Sequence, residues 1–238
     1  MVTLVVLPGM DGTGELLAAF AAAVSPGIKV KVLRYPATEA LDYAGLEAVA
    51  RAALPVNEPY VLLGESFSGP IAIALAASRP PQLLGLVLCC TFARNPRPLM
   101  VVLRPWVGLL PMVVIPVGLL ARLLLGRFYT MAWRHALSRA LGQVARPVLR
   151  ARLRAVLSAD VSPQLAEVVV PTLYLRAAHD AVVPFSAGQH VLEVRPGTTM
   201  LVLEAPHFLL QVVPAEAARA VSEFISSMAS LPPTIAIK

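Results

Sequence analysis

The sequence predicts an α/β domain: a mostly parallel sheet with helices on both faces, interrupted once by an inserted helical segment. Three observations predict it. Short apolar runs of the kind that form buried strands alternate with helical spacing through residues 2–90. The same rhythm resumes at Pro171. Between the two, residues 93–157 hold no strand-like run, only apolar and arginine-rich helical text broken by prolines.

Residues 2–7 are one apolar run stopped by Pro8-Gly9, a buried strand. Residues 16–24 are alanine-rich and helical. Residues 29–34 alternate up to Tyr35-Pro36, a second strand, and 41–54 have helical spacing. A short strand over 60–64 precedes a helix over 70–78, and 83–90 is another buried strand. After the interruption, 172–177 and 199–203 read as strands, and 186–194 and 215–228 as helices. Leu231-Pro232-Pro233 reads as a frayed tail. The expected division is a core of residues 1–93 and 158–238 with a helical cap over 94–157, free of repeats.

Composition narrows the class. At 57% hydrophobic and 14% charged, the 238-residue chain is too apolar for disorder. The uncharged stretch 105–121, between Arg104 and Arg122, falls short of the ~20 residues a membrane span needs. Pro105, Pro111 and Pro116 would break it into short helices, so no span is expected. Neither a basic leader nor a small-residue cleavage site precedes the first strand, which points to the cytoplasm. Cys89 and Cys90 are adjacent. In a strand they would face opposite ways, as two small buried side chains rather than a disulfide.

The chemistry starts at Gly64-Glu65-Ser66-Phe67-Ser68-Gly69, between a strand and a helix. A sharp turn there lifts a serine hydroxyl above the sheet edge, and small flanking residues avoid clashes. Serine needs a base to take its proton and an acid to orient that base. In strand–turn–helix sites of this type the acid and then the histidine follow the serine in the chain. Of four histidines, His207 follows the last strand on the way to the final helix and is the expected base; His135 lies among arginines, His190 in a helix, and His179 reads as a structural or rim residue. No Asp or Glu occurs from Ser66 through Ala159, so the acid must come later. Asp180 follows a strand; Asp160 reads as a turn cap, and Glu204 is too close to His207 in sequence to orient it well. The backbone N–H groups of Phe67 and Met10 are the expected oxyanion donors, Met10 from the glycine-rich loop 8–14. Asp11 reads as a turn residue. That loop lacks a P-loop's Lys-Ser/Thr and a dinucleotide fingerprint's spacing. No cofactor or metal is expected.

The segments Leu7-Pro8-Gly9-Met10-Asp11-Gly12, Gly64-Glu65-Ser66-Phe67-Ser68-Gly69, His179-Asp180-Ala181-Val182-Val183-Pro184 and Pro206-His207-Phe208 together resemble the α/β-hydrolase superfamily. The likeness is to small bacterial carboxylesterases, including the type that cleaves pimeloyl-acyl-carrier-protein methyl ester. It implies a Ser66–Asp180–His207 triad and a helical cap. Two departures stand out: Pro8 replaces the more usual histidine before Gly9, and Ser68 stands where the second glycine of the pentapeptide usually is. The family's leading hairpin is also missing, which shortens the expected sheet at one edge.

The inserted segment holds eleven arginines between Arg94 and Arg154 and no acid. The whole chain carries only +6, so the remainder is net acidic. Such a patch steers anionic partners: an acidic carrier protein, a substrate carboxylate or an anionic lipid surface. Few aromatics and no nucleic-acid motif accompany it, which argues against nucleic acid. Apolar residues 99–125 are expected to roof an acyl pocket. The expected activity is hydrolysis of hydrophobic acyl esters through an acyl-enzyme. A thioesterase or carrier-protein esterase guided by the basic cap is the alternative, and a non-enzymatic ligand- or lipid-surface-binding protein is the alternative of another class.

Overall fold

A computed structural model of the chain describes residues 1–99 and 116–229. Six strands, β1 (Val2–Leu7), β2 (Ile28–Val32), β3 (Tyr60–Glu65), β4 (Leu83–Cys89), β5 (Thr172–His179) and β6 (Thr198–Pro206), form one sheet in the order β2-β1-β3-β4-β5-β6. Every pairing in it is parallel. Parallel strands need crossovers, and helices supply them: α1 (Ala18–Ala23), α2 (Tyr43–Ala52), α3 (Gly69–Ala77), α4 (Val117–Leu125), α5 (Met131–Gly142), α6 (Arg146–Leu157), α7 (Ser162–Ala166) and α8 (Phe185–Val194); α9 (Leu209–Val212) and α10 (Pro214–Ala229) follow the last strand.

The central strands are apolar at successive positions because both faces are covered. On one face Leu62, Leu86 and Tyr174 pack with Leu46 of α2, Ile71 and Leu75 of α3 and Val191 of α8. On the other, Val61, Leu63 and Val87 pack with Phe20 of α1 and Val221 and Ile225 of α10. Edge strand β2 alternates in burial and stops at Val32, shorter than its pattern predicts.

The strand order reverses between β1 and β3, since the chain leaves β1 for the edge strand β2 and returns to β1's other side. In open α/β sheets the crevice at the carboxyl ends of such strands is where ligands bind. The loops after β1 and β3 are the two that open there.

Between β4 and β5 the chain leaves and returns at one place: Arg94 and Asp160 form an antiparallel bridge, and Asn95 N–H donates to Ala159 C=O at 2.8 Å. Helices α4 and α5 pack through Ala121, Leu125 and Leu137 onto Phe208, with Leu16 and Val212 alongside. The Phe208 N–H donates to Leu124 C=O at 3.3 Å. Helices α4 and α5 therefore sit over the loops that follow β1 and β6. Most of the expected pocket roof and the three-proline stretch, as far as Ile115, lie outside the described residues, as does the tail after Ala229; Pro116 immediately precedes α4. No helix among the described residues is long and apolar enough to cross a membrane.

The cysteines differ from their strand reading. Cys90 lies just past β4 with φ +46°, so it does not continue the alternation, and both thiols are buried in the same apolar cluster. Burial pushes both thiols up from their ordinary range.

Candidate active site

β3 delivers the chain straight into the turn. Ser66 has φ +48°, a left-handed conformation that costs a non-glycine residue roughly 1–2 kcal/mol. Its neighbours are small by necessity. A Cβ on Gly64 would stand 2.7 Å from the Ala72 side chain, and one on Gly69 would stand 1.9 Å from the Thr91 hydroxyl. Thr91 donates that hydroxyl to the Ser66 carbonyl, which pins the turn to the end of β4.

Three strand ends bring three side chains together. Ser66 follows β3, Asp180 follows β5, and His207 lies between β6 and α9. Ser66 Oγ is 2.8 Å from His207 Nε2, and His207 Nδ1 is 2.8 Å from Asp180 Oδ2. An ionised carboxylate only accepts, so Nδ1 carries the proton and Nε2 faces the serine as an acceptor. The other Asp180 oxygen, Oδ1, accepts the N–H groups of Val182 and Val183, each at 2.8 Å. The His207 and Asp180 side chains are almost fully buried.

The loop after β1 is held at nearly every polar group. Ser68 donates its hydroxyl to Pro8 C=O. Gly9 N–H donates to Glu65 Oε2 at 3.0 Å, and Gly12 N–H to Gly9 C=O at 3.0 Å. Arg152 Nη1 donates to the carbonyls of Met10 at 2.9 Å and Asp11 at 2.8 Å, and its Nη2 to Pro36 C=O at 3.0 Å. Asp11 turns its own carboxylate to Thr13, accepting from the N–H at 2.9 Å and from the hydroxyl at 2.5 Å. The N–H groups of Met10 and Asp11 have no acceptor among the described residues.

Two of these anchors escape a sequence reading. Glu65 looks like the variable residue before Ser66, yet it is buried and accepts from Gly9 and, at 2.7 Å, from Gln211 Nε2 of α9. Burial first, with help from the nearby Asp11 charge, pushes its carboxyl up to about 7, although hydrogen bonds from Gln211 and Gly9 and the proximity of His207 pull the other way. Arg152 looks like one of eleven surface cations, yet it is 1% exposed, with its guanidinium 5.6 Å from the Tyr35 ring centroid. Helical spacing carries a signal for it: Val148, Arg152 and Ala155 share the buried stripe of α6.

The described arginines of the expected basic patch are accordingly sorted by the fold. Arg97 Nη2 donates to Ala181 C=O at 2.8 Å, and Arg127 pairs with Glu204 at 3.3 Å, so that segment does find an acid outside itself. Arg122 lies over the Tyr129 ring, while Arg139, Arg146 and Arg154 are exposed. The remaining candidates have other work. Glu204 binds His179 at 2.9 Å on the exposed rim, Asp160 caps the turn at Ser162 N–H at 3.0 Å, and His190 bonds Ser162 Oγ at 2.9 Å. His135 is exposed on α5.

Solved structures share this architecture across nearly the whole chain. A lipase-esterase related protein from Clostridium acetobutylicum superposes with TM-score 0.75 at 16% identity, covering 95% of this chain and 94% of that one. An enol-lactonase from Burkholderia xenovorans gives TM-score 0.71 at 16% identity, over 96% and 91%. MenH from S. aureus gives 0.73 at 14%, over 95% and 94%. The chain has the α/β-hydrolase fold. In sequence, 112 residues are 35% identical to the chloroplastic phytyl ester synthase 1 of Arabidopsis thaliana; the match takes in 43% of this chain and 16% of that protein's length. No family model matches the chain.

Proposed function

We propose that the protein is a serine hydrolase of hydrophobic acyl esters, working through an acyl-enzyme. The observation that carries this reading is the hydrogen-bonded line Ser66–His207–Asp180 at the carboxyl ends of three strands. His207 Nε2 takes the Ser66 proton as Oγ attacks the ester carbonyl, and Asp180 steadies the imidazolium that forms. The His207 proton then passes to the leaving alkoxide, and water repeats the cycle on the acyl-enzyme. The N–H groups of Met10 and Phe67 serve as oxyanion donors; the clamped loop supports Met10 in that role, because the Gly9 and Gly12 N–H groups are occupied while those of Met10 and Asp11 between them have no acceptor among the described residues. Residues 94–157 act as the cap over this site. The carrier-protein methyl-ester variety of the reaction is supported by the exposed arginines Arg139, Arg146 and Arg154 in a segment without acid.

Wild type should hydrolyse p-nitrophenyl butyrate and label with a fluorophosphonate. Ser66→Ala should lose the label and at least about a thousandfold in kcat. Undiminished hydrolysis by the variant would refute the assignment.

A second reading is acyl transfer to an alcohol in place of water, favoured by the segment shared with an ester synthase. Adding a long-chain alcohol to the assay would then yield its ester as well as the free acid.

A further inference from the structure

We infer that Glu65 is the positioning residue of the oxyanion loop, that its ionised form is the competent one, and that Gln211 is the partner that accommodates either protonation state. The inference rests on the proposed hydrolase reading and goes beyond it, to the group that holds the loop.

The geometry leaves Glu65 little freedom. Its backbone ends β3 directly before Ser66, and its side chain crosses to the loop after β1. One carboxylate oxygen accepts from Gly9 N–H at 3.0 Å, the other from Gln211 Nε2 at 2.7 Å. The peptide that carries the Met10 N–H begins at Gly9. Its near side is gripped by Glu65 and Ser68, which take the N–H and C=O of the Pro8–Gly9 peptide, and its far side by Arg152 at Met10 C=O. A charged acceptor makes the stronger hydrogen bond. Ionised Glu65 therefore fixes the plane of the Met10 amide, and a donor that is fixed beforehand is worth more to a forming oxyanion than one that must reorient.

Gln211 supplies an independent observation. Its Oε1 is buried and has no partner, an expensive state for a polar atom. Exchanging the two ends of the amide would put that oxygen where Nε2 now sits, 2.7 Å from Glu65 Oε1. A protonated Glu65 could then donate to it. The orphaned acceptor is thus the partner the acid form would use: the Glu65–Gln211 hydrogen bond can be kept in either protonation state, with Oε1 unpaired in the ionised one. The ionisable groups facing Glu65 are Asp11 from the loop after β1, Cys89 and Cys90 from the end of β4, and His207 from the loop after β6. With burial and Asp11 outweighing the rest, the carboxyl at about 7 changes state in the range where such an enzyme would work.

Two readouts test this. In the full-length protein, the Gly9 amide resonance should shift with a midpoint near pH 7, and the shift should vanish in Glu65→Gln. In kinetics, log kcat/KM of wild type should fall more steeply on the acid side than that of Glu65→Gln, by the one proton that Glu65 takes up. Glu65→Gln keeps an acceptor for Gly9 but no charge. It should lose the added acid-side steepness and lower kcat about tenfold at pH 8, with KM unchanged within about twofold. Glu65→Ala should lose about a hundredfold in kcat, which the Gln variant partly rescues. A Gln variant with wild-type kcat and an unchanged acid limb would overturn the inference, as would a Gly9 resonance that titrates identically in both proteins. If wild type hydrolyses no ester while Gly9 titrates through Glu65, the anchor stands and the hydrolase reading falls.

Discussion

The hydroxyl of Ser68 donates to the main-chain carbonyl of Pro8, and its oxygen lies 2.8 Å from the hydroxyl of Tyr35. Serine has one proton to give, so Tyr35 donates to Ser68, and a short buried chain runs Tyr35–Ser68–Pro8. The two positions at which this chain departs from the usual motif are therefore partners. The residue that replaces a glycine holds the loop that lacks its usual histidine.

Ser68→Ala should leave the Tyr35 hydroxyl and the Pro8 carbonyl without partners and destabilise the protein by about 1–3 kcal/mol. Adding Tyr35→Phe should cost much less on that background than alone, because both ends of the bond are then gone. Urea unfolding of the two single variants and the double variant measures the coupling, which should be absent if the chain does not exist in solution.

Asp180→Asn should reverse the histidine. The N–H groups of Val182 and Val183 require an acceptor, so the amide oxygen turns to them and its NH2 faces His207 Nδ1. Nε2 then carries the proton and cannot accept from Ser66. A loss of about 10⁴ in kcat with an unchanged fold is expected; a loss below tenfold would remove Asp180 from its role.

Arg152→Met should free the carbonyls of Met10, Asp11 and Pro36 together. We expect a loss of several kcal/mol in stability and a fall in kcat larger than any rise in KM. Arg152→Lys should recover only part of both, because a single ammonium cannot reproduce the guanidinium fork.

Glu65 should make stability depend on pH. Its folded carboxyl titrates at about 7, above the unfolded value of 4.5, so the folded state binds more protons between those limits and stability declines as pH rises through them. Above pH 7 the cost is about 3 kcal/mol. Glu65→Gln should therefore melt several degrees above wild type at pH 8, with the gap closing toward pH 5.

If exposed arginines steer a carrier-bound substrate, Arg146→Glu with Arg154→Glu should weaken turnover of an acyl ester on an acidic carrier about tenfold and leave p-nitrophenyl butyrate unaffected. The defect should shrink at high salt. Equal effects on both substrates would dismiss the carrier.

The alternating architecture was legible because buried parallel strands leave continuous apolar runs, as at Val2–Leu7 and Tyr60–Glu65. Ser66, Asp180 and His207 could be singled out because each follows such a run, and chain order with an acid-free stretch left few choices. Glu65, Gln211 and Arg152 were not legible by the same means. A carboxylate or guanidinium in a sequence announces charge, not depth, and their partners lie 56, 146 and up to 142 residues away. Arg152 could have been suspected from its place on the Val148–Ala155 stripe. Glu65 carries no comparable mark, since the position before a nucleophile accepts many residue types. The left-handed turn at Cys90 was hidden because the apolar run continues through it.

Gly12, with φ +69°, has the Arg152 guanidinium where a side chain would be: a Cβ there would lie 2.6 Å from Nη1. Part of the space beside the loop is thus filled by a residue that arrives 140 positions later, from a different element. The segment that would choose the substrate and the loop that would stabilise its transition state are then not interchangeable modules. A graft that replaces residues 94–157 with another sequence has to bring an arginine to the same spot or rebuild the loop. Selection for a new substrate through that segment is constrained at α6 and comparatively free at α4 and α5, whose side chains meet Phe208 through apolar contacts.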